Sequence, residues 1–164
     1  MTYKKEKIIE LSSWVAMVIL LIKFIPKNKL REAHLAFLFK QLITWLFGLI
    51  VVENGNISYP FRTFFKKSIK SSFTFEYFVF PGMCALFNAH YPEKRSKYFK
   101  TFYYIVYTSV IVFLEVIALR FTKLIHYENW KWYWSFVSIW FSYYLSRMYQ
   151  VWFFKDKKKK FFEV

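Results

Sequence analysis

The chain has 164 residues, 57% of them hydrophobic and 26% aromatic, and its 25 lysines and arginines against 10 acids give a formal charge of +15. That length allows one domain, and the apolar content lies far above that of a water-soluble protein. Three glycines and four prolines exclude collagen-like repeats and low-complexity disorder, and a single cysteine excludes an intramolecular disulfide.

The basic residues stand in short groups between apolar runs instead of along one soluble face. That pattern points to topology control and to anionic lipid headgroups, not to nucleic acid. The fold class expected is all-α, an integral membrane helical bundle of about five transmembrane helices plus one interfacial amphipathic helix.

The first span is predicted over 8–25, after a short basic opening. No small-x-small cleavage site follows it, so it reads as an uncleaved helix, not a secretory signal. Pro26 with Lys27, Lys29 and Arg31 ends it, and the short connection sends span two, 33–52, back antiparallel. Lys40 and Gln41 interrupt span two. Lys40 lies about two turns from one end, where its stem reaches the interface by snorkelling; the alternative is a buried functional lysine.

After Glu53, Asn54-Gly55-Asn56 is turn chemistry. Over 60–71, Phe61, Phe64, Phe65 and Ile69 fall at helical spacing with Arg62, Lys66, Lys67 and Lys70 opposite. This predicts a basic amphipathic helix lying in the interface plane, with Pro60 near its first turn; its last turn reads equally well as an extension of span three.

Span three, 72–90, carries Glu76 about one turn from its start and Pro81-Gly82 near its centre. An ionisable group in hydrocarbon costs about 2.5 kcal/mol or more, so Glu76 requires a partner, a protein interior or water. Pro81 removes a helical hydrogen bond and favours a kink whose freed carbonyl a neighbour must satisfy. Cys84, in mid-span, reads as a small buried apolar residue rather than a reactive thiol. An exposed basic turn, Glu93-Lys94-Arg95-Ser96-Lys97, leads to span four, 99–121, with Glu115 late in the run and Arg120 beyond it. Span five, 130–154, opens on Trp130-Lys131-Trp132-Tyr133-Trp134, an aromatic cluster suited to a headgroup boundary, and has Arg147 toward its far end. The tail 155–164 holds Lys157, Lys158, Lys159 and Lys160, which with Lys66, Lys67 and Lys70 are the expected contacts to anionic lipid headgroups.

Five spans put the termini on opposite faces. Ten lysines and arginines fall on the N-terminal face and fourteen on the other, which favours an outside N-terminus and a cytoplasmic C-terminus. Antiparallel placement also sets depths. Glu10, Glu53, Glu76 and Glu115 all fall toward the N-terminal face, as do Arg62 and Arg120, so these six form the expected polar intramembrane cluster, with Arg120 or Arg62 as the expected partner of Glu76. Three roles are open for it: an ion pair that fixes helix register, a transport or ligand site on Glu76 and Glu115, or contact with lipid or a partner. Lys40 lies more than about two turns deeper than Glu76, too far for direct pairing.

No zinc-binding His-Glu-x-x-His, nucleophile turn or phosphate loop occurs, and His34, His90 and His126 are scattered among helix ends. No catalytic residue, metal site or cofactor is expected. The leading function is a binding or accessory membrane component, the alternative a small transporter or channel module holding a cation or proton, and the third a membrane-embedded lipid enzyme. Partners are the bilayer and its anionic lipids, and a membrane protein or a second copy of the chain.

The segments LIKFIPKNKLREAHLAFLFKQLITWLFGLIVVE and YPFRTFFKKSIKSSFTFEYFVFPGMCALFNAHYPEKRS, above all Lys-x-x-x-x-Phe-Glu-Tyr around Glu76 and the Tyr-Pro-Glu-Lys loop, resemble a family of small multi-pass membrane proteins of unknown function in spore-forming Gram-positive bacteria. The resemblance implies a bacterial plasma membrane, and the leading function is set in the envelope or spore membrane. It implies no reaction or substrate.

Overall fold

The computed structural model describes residues 3–65 and 67–155. These residues are mostly helical, with α1 Lys4–Phe24, α2 Leu30–Glu53, α3 Phe80–Ala89, α4 Lys97–Phe121 and α5 Trp132–Phe153. A π-helical turn, Phe75–Val79, runs directly into α3. Two-residue strands β1, Ile57–Ser58, and β2, His126–Tyr127, pair antiparallel and join the second connection to the fourth. Two helices, Lys27–Glu53 with its leading 3-10 turn and Lys97–Phe121, are long and apolar enough to cross a membrane.

Local chemistry accounts for the ends of these elements. Pro26 stops α1 after Ile25 turns extended. α2 closes on a Schellman motif: Asn56 N–H donates to Val51 O and Gly55 N–H to Val52 O, both at 3.0 Å, with Gly55 at φ +65°. Ser96 caps α4 by accepting from Phe99 N–H at 3.3 Å. Lys29 reaches from the first connection to donate to Ala89 O at the end of α3 (2.6 Å), where a cation suits both the orphan carbonyl and the helix dipole.

The helix α3 is the centre of the bundle, buried along most of its length and packed against α1, α2 and α5. Phe87, fully buried, sets its ring 4.7–5.3 Å from the rings of Tyr103, Tyr104 and Tyr107 on α4 and Tyr143 on α5. Cys84, also fully buried, lies beside Ser146 (3.1 Å). The outer helices are inverted relative to a soluble protein. α1 buries Glu6, Glu10 and Met17 and exposes Ile8, Leu11, Val15, Ile19 and Ile22; α5 buries Ser135, Ser142, Ser146, Arg147 and Gln150 and exposes Val137, Phe141, Met148 and Trp152.

Two expectations need correction here. The described residues of 60–71 form no helix; they are bends and turns, with Phe65 at φ +52°. Arg62 draws the loop into a closed shape by donating to both Tyr59 O and Lys70 O at 2.9 Å, and Phe61 N–H donates to Lys123 O at 3.0 Å. The aromatic residues dock on separate partners, Phe61 against Tyr3, and Phe64 and Phe73 against Trp14. Tertiary contacts therefore override a helical period shared by only a few residues. Lys40 does not snorkel. It is 1% exposed, its ammonium donates to Ser142 Oγ and it lies 4.6 Å over the Tyr143 ring, so α5 supplies partners that make the interior the better place for it.

Candidate functional site

A cavity of about 630 Å³ lies between the N-terminal half of the α3 region and α1, α2, α4 and α5, lined by apolar side chains with Lys40, Thr44, Tyr59, Glu76, Glu115 and Ser135 among them. Its size is within the roughly 300–1,000 Å³ usual for ligand pockets. Leu124 and Ile125 of the fourth connection and Ile57 beside β2 reach its wall.

Glu76 sits on the π turn. In such a turn a carbonyl accepts from the N–H five residues on, as Phe75 O does from Phe80 N–H. The corresponding donor for Glu76 O would be residue 81, a proline without an N–H. Thr44 of α2 supplies it instead, its hydroxyl 2.7 Å from Glu76 O. That hydroxyl also lies 2.9 Å from Lys40 O, but it has one hydrogen, and the Glu76 carbonyl is the acceptor left without a helical donor. On the same face of α2, Gly48 makes room for the carboxylate: a Cβ at Gly48 would collide with it. The Tyr59 and Ser71 hydroxyls face the carboxylate. Even so, Glu76 Oε2 and the Ser71 hydroxyl have no hydrogen-bond partner among the described residues.

Glu115 is held differently. Its Oε1 accepts from Tyr127 Oη at 2.5 Å and Ser135 Oγ at 2.7 Å, and Trp130 Nε1 donates to Ser135 Oγ at 2.8 Å. This node ties β2 and the start of α5 to α4. Burial first, and the carboxylate beside it second, push the Tyr127 hydroxyl above the usual tyrosine range, so it remains a donor at neutral pH. Burial likewise raises Tyr59.

Of the six residues of the expected cluster, the structure brings Glu76 and Glu115 to one cavity and leaves the other four outside it. Glu10 accepts from the Thr63 hydroxyl, Glu53 makes an exposed 3.4 Å contact with Lys70, and Arg62 closes its own loop. Arg120 is exposed. The expected pairing of Glu76 with Arg120 or Arg62 is thus corrected: hydroxyls, not a guanidinium, face it, because Arg62 is drawn to the Tyr59 and Lys70 carbonyls and Arg120 points outward. Lys67 and Lys70 are exposed; Lys66, Lys157, Lys158, Lys159 and Lys160 lie outside the described residues.

Sequence reasoning left Lys40 between snorkelling and burial and missed its partner Ser142. One signal was present: Ser135, Ser138, Ser142 and Ser146 recur at helical spacing on α5, and all of them face inward to some degree. It also missed the pair at the opposite end, where buried Arg147 donates to Glu93 and stacks 4.2 Å over the Tyr91 ring. Among the described residues, no three potential metal-ligating side chains gather at one point. No protein-family model, curated protein or solved structure matches the chain.

Proposed function

We propose that all five helices of this chain cross the bilayer and that the protein is a non-catalytic binding component of a bacterial plasma membrane, holding a largely apolar guest in the cavity beside Glu76. The observation that carries the reading is the cavity, pocket-sized, walled mostly by hydrocarbon and furnished with a few inward polar groups. The membrane part draws support from the two long apolar helices and from the inverted faces of α1 and α5, since so much contiguous apolar surface is rare on a soluble monomer. The family resemblance implies the bacterial plasma membrane, and the envelope or spore membrane is the proposed setting. Anionic lipids remain the proposed partners of exposed Lys67 and Lys70 and of the basic tail.

The hydroxyl of Ser142 supports a non-catalytic reading. It donates to Ile139 O at 2.7 Å while accepting from Lys40, so the lysine acts as a donor and not as a base toward a serine nucleophile. A second reading, a small transporter moving a cation or proton, draws on Lys40, Glu76 and Glu115 lining one cavity. It expects Glu76→Gln to abolish a pH-dependent flux in reconstituted vesicles while leaving stability nearly intact.

The test of the leading reading uses the full chain in phosphatidylcholine nanodiscs and tritiated dodecanol. Saturable binding above that of empty nanodiscs is expected, as is its loss in Ala118→Trp, which fills the cavity from α4. Dodecanol uptake equal to that of empty nanodiscs would end the proposal. For orientation, a cysteine replacing Asn129 in a Cys84→Ala background should react with a membrane-impermeant thiol reagent in intact cells, and one replacing Lys158 should be shielded.

A further inference from the structure

The cavity's polar groups differ in how far they are satisfied. Lys40 donates to Ser142 and lies against the Tyr143 ring, and Glu115 accepts from two hydroxyls. Glu76 is 3% exposed, lines the cavity, and has an oxygen, Oε2, with no hydrogen-bond partner among the described residues. A buried carboxylate oxygen with no donor is costly, and a guest that brings one recovers that cost on binding.

We propose that the cavity takes a long-chain primary amine, its alkyl chain against the apolar walls and its ammonium group on the Glu76 carboxylate. This rests on the reading of the cavity as a binding site and names the head group that the site selects. The lining carries two glutamates and one lysine, so it is acidic inside a chain whose formal charge is +15. An anionic amphiphile is therefore repelled. An alcohol supplies a hydrogen but no charge, and a quaternary ammonium supplies charge but no hydrogen. A primary ammonium supplies both, and a charge-assisted hydrogen bond is roughly twice as strong as a neutral one. The Tyr59 hydroxyl, which faces the same carboxylate, is at hand to accept a second ammonium hydrogen. Gly48 keeps the carboxylate in its seat, since any side chain there would displace it.

The experiment compares dodecylamine, dodecyltrimethylammonium, dodecanol and dodecanoate on the full chain in phosphatidylcholine nanodiscs, with empty nanodiscs subtracted and tritiated dodecanol as the displaced probe. The expected order is amine tightest, the quaternary ion next, the alcohol weaker, and dodecanoate without effect. In Glu76→Gln the amine should lose about tenfold or more in affinity and fall to the level of dodecanol, with an unchanged thermal unfolding midpoint certifying that the variant is folded. The ranking in the unaltered protein decides by itself if that variant fails to fold. An amine that binds no tighter than dodecanol would overturn the head-group assignment and leave the cavity reading intact. Absence of saturable dodecanol binding would overturn the cavity reading together with this inference.

Discussion

The two ends of the central helix are built on opposite principles. Toward its C-terminus, Cys84 and Phe87 are fully buried and Ala85 and Ala89 nearly so, and four tyrosines of α4 and α5 close around the Phe87 ring. Toward its N-terminus, the π turn faces Thr44 and Gly48 of α2 and Ala118 of α4, and a cavity remains between them. Large rings hold α4 to the bundle at one end, whereas at the other Thr44, Gly48 and Ala118 are short side chains among the lining of an open space. If the chain lies in a bilayer as proposed, little hydrophobic drive closes such a void, because lipid tails are as apolar as its walls.

The largest effect expected on this contrast comes from the closed end. Phe87→Ala should lower stability by about 3–5 kcal/mol, measured by thermal unfolding in mild detergent, because no neighbour can collapse into the space of that ring. Ala118→Trp, which adds far more volume at the open end, should move the midpoint little. Equal losses from both would erase the distinction between the two ends.

Next in size is the ion pair at the closed end. Arg147→Gln should cost about 1–3 kcal/mol: its guanidinium is largely buried and stacked on Tyr91, while Glu93 is half exposed. A double-mutant cycle with Glu93→Gln measures the coupling. Thr44→Val should cost about 1–2 kcal/mol by leaving the Glu76 carbonyl without a donor, and Thr44→Ser should restore most of it. The smallest effect is expected from Lys70→Ala. Its contact with Glu53 is exposed on both sides, and such a pair contributes about 0–1 kcal/mol.

Much of this fold could be read from the chain. Each helix lies over an apolar run, and Pro26, Gly55 and Ser96 stand where their stopping or capping chemistry requires. What could not be read was decided between distant segments. The phenylalanines of 60–71 fit a helical period, but Trp14, Tyr3 and Lys123 claim them one by one from other parts of the chain. Lys40 stands at a depth compatible with snorkelling or burial, and only Ser142 and Tyr143, about a hundred residues later, decide for burial. The site was half legible for the same reason. Depth along the expected spans places Glu76 and Glu115 near one level, but depth says nothing of which way a side chain points. Arg120, at a similar level, faces outward and takes no part.

The wide turn at Phe75–Val79 also bears on how the site is addressed within the helix. One residue of helix subtends about 100°, so a wide turn amounts to a single surplus residue inserted in an otherwise regular spiral. Removing Val79 would rewind the turn and swing Glu76 by about that angle, away from Gly48 and the cavity, without altering any functional side chain. The bearing of the carboxylate is therefore encoded by chain length as much as by residue identity, and a one-codon deletion would turn it out of the cavity while leaving each polar group of the lining present.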